Sequence, residues 1–209
     1  MAGAGYKLFG AGDILTAGQV NTFLNEQSVM VFATTAARDA ALTSVLAEGM
    51  LCYIKDITGN GTAGACVYDG SAWKIVWSEW ETFTPTWSNG VTVGNGTYLS
   101  SRWAYVALGQ YKLEVVFELG STSAITGGVE LDLPIAIDNG RAATGLNIVL
   151  FNVNTAYTGM TGNKNANTTY VYCVNTSGTY AVRKSLDATI PFTWGSGDRI
   201  AVVGVLGTP

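Results

Sequence analysis

Ala65-Cys66-Val67-Tyr68-Asp69-Gly70-Ser71-Ala72-Trp73-Lys74-Ile75-Val76-Trp77 reads as two short strands folded back on one another. Asp69-Gly70 fits the positive-φ turn that joins antiparallel strands. Cys66 and Tyr68 on one arm, and Trp73, Ile75 and Trp77 on the other, fall at period two. Each arm therefore offers one apolar face while Ser71 and Lys74 turn to water. The hairpin carries aromatics and no catalytic equipment, which marks it as a docking surface with Tyr68, Trp73 and Trp77 as its contacts.

Working outward, Glu48 to Asp56 supplies a neighbouring strand, and Val29-Met30-Val31-Phe32 another. Between them the Ala-rich run from Thr35 to Leu46 predicts a helix with Arg38 and Asp39 outward. Thr16-Ala17-Gly18-Gln19 matches the capping box, and Val20, Phe23 and Leu24 follow at i, i+3, i+4, so a short helix is expected to about Gln27. Gly5 to Ile14 is a Gly-punctuated arm whose Tyr6, Leu8 and Phe9 suit docking. Residues 1–78 thus form a small α+β anchoring module. The connection from Ser78 to Thr82, with Glu79 and Glu81 around Trp80, marks a boundary.

From Phe83 helical periodicity gives way to short β runs between turn signals: 83–87, 98–108, 111–119, 128–133, 145–153, 168–174, 180–184 and 199–206. That spacing predicts an antiparallel, jelly-roll-like β-sandwich over residues 79–209, making the chain mainly β. Lys112, Glu114 and Glu118 alternate with Leu113, Val115, Phe117 and Leu119, giving one wet and one dry face. Ile200 to Leu206 is apolar on both faces, as befits a central strand or one pressed against another subunit. The Asn-rich stretch from Tyr157 to Tyr172 reads as a contact loop, with Tyr157, Asn163, Asn165, Asn167 and Tyr170 set to meet a glycan or a protein partner.

Charged residues make up 12% of the chain, about half the roughly 25% of an average soluble domain, so neighbours are expected to cover much of its surface. The alternative is a monomer with a surface rich in hydroxyls and amides. A net charge of −4 with no basic run excludes the phosphate neutralisation that nucleic acid requires. No charged region leading into a sustained apolar run marks a signal peptide, and no apolar segment reaches about 18 residues. Synthesis in a cytoplasm without membrane insertion is the expectation, and the Asn-x-Ser/Thr triplets at Asn60, Asn95, Asn167 and Asn175 then read as turns.

Zero histidines remove Ser-His-Asp, Cys-His and HExxH constellations. Carboxylate-only chemistry would need an opposed pair, but Glu79, Glu81, Asp132, Asp138, Asp187 and Asp198 read as solvated or turn-forming. Gly10-Ala11-Gly12-Asp13 and Gly94-Asn95-Gly96 lack the helix and Lys-Ser/Thr of a phosphate loop, and no twelve-residue calcium loop occurs. Cys52, Cys66 and Cys173 have no close spacing in sequence. Cys52 and Cys66 fall on adjacent predicted strands but read as small buried hydrophobes. The expectation is a non-enzyme with no cofactor and no metal.

The order Gly49-Met50-x-x-Tyr53-x-x-Asp56, a short insertion, then Tyr68-Asp69-Gly70-Ser71-x-Trp73 resembles the N-terminal module of small bacteriophage virion proteins. Phe83-Thr84-Pro85-Thr86-Trp87, Val93-Gly94-Asn95-Gly96-Thr97, Gly120-Ser121-Thr122, Leu131-Asp132-Leu133-Pro134 and Ile190 to Ile200 are similar to a β domain of phage tail and fibre proteins. One departure is Leu108-Gly109-Gln110, where related proteins often carry Gly-Lys. The resemblance implies a structural protein of the virion, in a minor tail, tail-tip or fibre position. It would dock on other virion proteins through its N-terminal module and form a homotrimer through its sandwich. A host-surface glycan-binding module is the alternative, and a capsid decoration or head-fibre protein a third.

Overall fold

Thr16 opens the first helix as its spacing from Gln19 requires: Gln19 N–H donates to Thr16 Oγ1, and Thr16 N–H donates to Gln19 Oε1. The computed structural model describes residues 10–20, 28–138, 146–178 and 180–209. Helix α1 is seen over Ala17–Val20. Its expected continuation through Phe23 and Leu24, and the arm residues Tyr6, Leu8 and Phe9, lie outside the described residues.

Strand β1 (Met30–Thr34) runs directly into helix α2 (Thr35–Leu42), where Ala37 N–H donates to the side chain of the N-cap Thr34. The helix stops four residues short of the expected Leu46. At its end the Thr43 hydroxyl donates to the Asp39 carbonyl and Val45 N–H turns back to the Leu42 carbonyl, a local competition that hydroxyl residues bring to helix ends. Strands β2 (Leu51–Asp56), β3 (Gly64–Tyr68) and β4 (Trp73–Ser78) complete a four-stranded sheet in the order β1-β2-β3-β4. β1 and β2 are parallel, with α2 in the connection between them, and the other pairs are antiparallel.

Cys52, Ile54, Ile57 and Cys66 form the core of this unit, with Met30, Phe32, Trp73 and Ile75 packed against it. Arg38, expected outward, is only 7% exposed. Its guanidinium lies 4.7 Å over the Trp73 ring and reaches Cys66, so this turn of α2 lies against the sheet.

Ten further strands build the second unit: β5 (Glu81–Thr82), β6 (Trp87–Thr92), β7 (Thr97–Ala107), β8 (Gln110–Glu118), β9 (Ala124–Asp132), β10 (Leu146–Asn152), β11 (Thr155–Asn165), β12 (Thr168–Asn175), β13 (Val182–Ser185) and β14 (Arg199–Gly207). They form one curled antiparallel sheet, β5-β7-β8-β14-β10-β11-β12-β9-β6, with β13 beside β12. Its two end strands are consecutive in sequence, so the four residues 83–86 join its edges into a sandwich-like fold. The strand expected over 83–87 is this crossing instead. Pro85 has no N–H to give a ladder, but its carbonyl accepts from the Tyr98 hydroxyl. Phe83 N–H bonds the Ser101 carbonyl near one edge, and the Thr86 carbonyl takes Asp132 N–H near the other.

Alternation holds in β8: Tyr111, Leu113, Val115 and Phe117 are fully buried, while Lys112, Glu114 and Glu118 are half-buried on the opposite face. β14 is central, between β8 and β10. Ile200, Val202 and Leu206 join the core, and Ala201, Val203 and Val205 line the other face. Each fully buried aliphatic or aromatic side chain stabilises the fold by about 1.5–3 kcal/mol through transfer from water.

The chain divides into Met1–Trp80 with Tyr105–Gly109, and Glu81–Ala104 with Gln110–Pro209. The tip of the β7–β8 hairpin therefore belongs to the first unit, where Tyr105 N–H donates to Ser78 Oγ. A division at one point in sequence does not anticipate that. Among the described residues no helix is long and apolar enough to cross a membrane.

Candidate functional site

The hairpin that opens the sequence argument turns through Asp69, Gly70, Ser71 and Ala72, with Tyr68 opposite Trp73. Only Gly70 has positive φ, at 93°. Asp69 carries the turn instead, its Oδ1 accepting from Ala72 N–H, Ser71 N–H and the Ser71 hydroxyl. These bonds, the Ala72 amide first, hold the exposed carboxyl at about 2.

Trp73, Ile75 and Trp77 do not share a face. Cys66 pairs with Ile75 but Ala65 pairs with Trp77, which leaves Val76 as an extra residue in a β-bulge. Trp73 and Ile75 stay on the core side, and Tyr68 meets Trp73 at 5.4 Å between ring centres. Trp77 is turned to the opposite side. There the register places Val31, Tyr53, Ala65 and Trp77 in one row across all four strands. Val31 and Trp77 are exposed, Leu51 beside them is exposed, and Tyr53 lies 6.1 Å from Trp77 between ring centres. Of the three hairpin aromatics expected to dock, Trp77 alone lies on this row. Tyr53 and Val31 join it, and their period-two placement in their own strands was the available signal.

The expected contact loop over 157–172 is a hairpin. Strands β11 and β12 pair from Gly159–Cys173 to Asn165–Thr168, with a register shift between Asn163 and Asn165 and a turn of two residues. Asn167 N–H donates to Asn165 Oδ1 in that turn, and Asn163 lies opposite Thr169 within the ladder. Tyr157 sits opposite the buried Leu150. Tyr170 lies five residues of regular pairing away, opposite Gly162 and Glu130, on the other face of the sheet. The two tyrosines therefore cannot flank one ligand. Asn and Gly are depleted from strands, so composition points to a loop here, and pairing with the neighbouring strands overrides that preference.

Each tyrosine has its own setting. Tyr170 stacks near Tyr172, with Arg183 over the latter at 5.2 Å, and Glu130 in the adjacent strand is buried and receives Lys164 Nζ at 2.6 Å. Tyr157 meets Phe192 at 5.1 Å, and Phe192 meets Trp194 at 4.3 Å, with the Trp194 indole N–H fixed on the Ile190 carbonyl. Beside Tyr157 a cleft of about 470 Å³ opens between Asn175, Thr176, Ser177, Lys184 and Pro191. Its size falls within the range of small-ligand sites, and it combines an aromatic wall with amide, hydroxyl and ammonium groups.

The outer face of the second unit holds a further apolar row. Val116, Ala201 and Val149 are in register across β8, β14 and β10, with Val205, Phe151 and Met160 exposed around them. Two ion pairs flank it, Arg199 with Glu118 at 2.7 Å and Arg102 with Glu114 at 3.0 Å, and Lys112 stands opposite Val205 on the same face. Glu114 is lowered from the usual carboxylate range, first by the Ser100 hydroxyl and also by Arg102. Asp187 and Asp198 serve turns, accepting from Thr189 and Gly195 N–H respectively. Among the described residues no cluster of three Cys, Asp or Glu is arranged to hold a metal.

No protein-family model matches the chain, and no curated protein or solved structure matches it.

Proposed function

We propose that the chain is a non-enzymatic structural component of a tailed-phage virion, a minor tail, tail-tip or fibre protein. It docks on other virion proteins through its first unit and self-associates, as a trimer, through its second. The observation that carries this reading is the row Val31–Tyr53–Ala65–Trp77, an apolar stripe laid across a whole sheet with Val31 and Trp77 exposed at its two ends. Contiguous exposed apolar surface of this kind marks interaction sites. The resemblance of the Tyr68–Trp73 turn and of the later β segments to phage virion modules supplies the particle. Particles lacking the protein, mixed with wild type or with Trp77→Glu, test it. Wild type should be incorporated and the variant excluded while remaining folded. Normal incorporation of a variant carrying both Trp77→Glu and Val31→Glu would remove this face from the account.

A second reading rests on the cleft beside Tyr157: recognition of a host-surface glycan. Tyr157 would stack on an apolar sugar face while Asn175, Ser177 and Lys184 bond its hydroxyl or acidic groups. Saturable binding on an array of host wall glycans, lost in Lys184→Ala with folding unchanged, supports it. An array at background level for wild type discards it.

A further inference from the structure

Cys52 and Cys66 are directly opposed on β2 and β3, both wholly buried, with their sulfurs 2.8 Å apart. That is nearer than two unbonded sulfurs pack, and one step from the roughly 2.05 Å of a covalent S–S bond. Opposed residues of antiparallel strands have Cα atoms about 4.5 or 5.5 Å apart, and both values lie inside the window a disulfide accepts. The backbone therefore need not move to join them. A cation is also in place. Arg38 Nη1 lies 3.4 Å from Cys66 Sγ, its guanidinium held from behind by Asp39 at 2.8 Å and from one side by the Trp73 ring. Arg38 is among the few buried charged groups described, and its carboxylate partner is mostly exposed, so its buried edge is spent on a thiol.

We propose that Cys52 and Cys66 are an oxidisable pair that closes to an intrachain disulfide, with Cys66 the attacking sulfur and Cys52 the resolving one. The two are not equivalent. Cys66 is lowered from the usual thiol range by the hydrogen bond with Cys52 and then by Arg38, against the opposing effect of burial. Cys52 is pushed up by the same shared hydrogen bond and by burial. A thiolate beside a buried cation is the nucleophile of such a pair. Burial of both sulfurs selects a small oxidant, and a peroxide fits. The Cys66 thiolate attacks one peroxide oxygen, the O–O bond breaks, and hydroxide leaves and is protonated to water, giving the sulfenic acid. Cys52 sulfur then attacks Cys66 Sγ, the S–O bond breaks, and the departing oxygen leaves as water with the Cys52 proton. Two thiols and one hydrogen peroxide become one disulfide and two waters. The bond ties the β2–β3 pair across 14 residues of sequence and fixes the sheet that bears the Val31–Trp77 row.

The full-length reduced protein, treated with hydrogen peroxide and then denatured and alkylated with iodoacetamide, provides the test by peptide mass mapping. The expected product is lighter by two hydrogens, with a Cys52–Cys66 linked peptide and Cys173 alone alkylated. Oxidation of Arg38→Met should be slower by at least about tenfold, the scale on which a thiolate fraction falls when its cation is removed. Cys52→Ser should accumulate a sulfenic acid at Cys66 that dimedone traps, whereas Cys66→Ser should leave Cys52 unmodified. Three alkylated thiols in the treated wild type would overturn the pairing, and so would a disulfide through Cys173 or between chains. Wild-type rates in Arg38→Met, or dimedone labelling of Cys52 in Cys66→Ser, would overturn the order of attack. The wild-type arm needs no variant to fold.

Discussion

Two backbone positions of opposite fit show how single residues set the balance. Gly90 has φ 77°, and a Cβ there would stand 2.5 Å from the Gly127 carbonyl and 2.8 Å from the Val129 backbone, where the β6–β9 ladder shifts register. Gly90→Ala should therefore cost about 1–3 kcal/mol in denaturant unfolding, the scale of a strained backbone with no flexible neighbour to yield. Val153 is the reverse case. It occupies the two-residue β10–β11 turn at φ 23°, a positive value that a β-branched side chain resists. Val153→Asn should stabilise by roughly 0.5–1 kcal/mol, since Asn accepts the left-handed region. Asp69 adds a pH dependence. Its folded value of about 2 lies below the roughly 3.9 of an unfolded Asp, so its stabilisation is fully present above about pH 4 and is lost as pH falls toward 2. The gap in melting temperature between wild type and Asp69→Ala should be wide at pH 7 and narrow at pH 2, as scanning calorimetry would read it.

At the scale of elements, legibility followed the strength of alternation. β8 could be read residue by residue because Lys112, Glu114 and Glu118 punctuate Leu113, Val115 and Phe117, and the fold places those apolar side chains in the core. Phe117 is the centre of that pattern, within 5.1 Å of the Tyr98 ring and 6.0 Å of the Trp87 ring. Phe117→Ala should cost about 3–5 kcal/mol by denaturant titration, with loss of near-ultraviolet circular dichroism from the emptied aromatic cluster. Elements with weak alternation were misread for physical reasons. β11 has Gly, Thr and Asn where a buried strand would show branched aliphatics, because Gly159 must admit Ile148 and the Tyr172 carbonyl, and Gly162 must admit Arg183. The bulge at Val76 leaves no trace in an apolar run, since Ile75, Val76 and Trp77 suit either face, yet it decides that Trp77 and not Trp73 meets solvent. Arg38 was legible as helical and not as buried. Its partners, Cys66 and Trp73, come from strands 28 and 35 residues away, beyond what helical spacing reports.

For the whole molecule, the outer face of the second unit is the surface on which self-association can be tested. Val116, Ala201 and Val149 lie in a row with Val205, Phe151 and Met160 exposed around them, and the flanking Glu118–Arg199 and Glu114–Arg102 pairs neutralise their own charges. Lys112, opposite Val205, is a further charge on this face, and only 12% of the chain is charged to oppose association. A stable contact needs about 800 Å² from each partner. Self-association couples folding to concentration, so the melting temperature should rise with protein concentration. Light scattering should return a multiple of 21.9 kDa. Val205→Lys combined with Phe151→Lys, both at exposed positions, should abolish both effects while leaving the monomer folded, since each long stem can lie along the sheet and keep its charge in water. A concentration-independent melting temperature and a mass of one chain for wild type at micromolar concentration would sink self-association through this face, and the Val31–Trp77 row of the first unit would then be the better place to test for a partner contact.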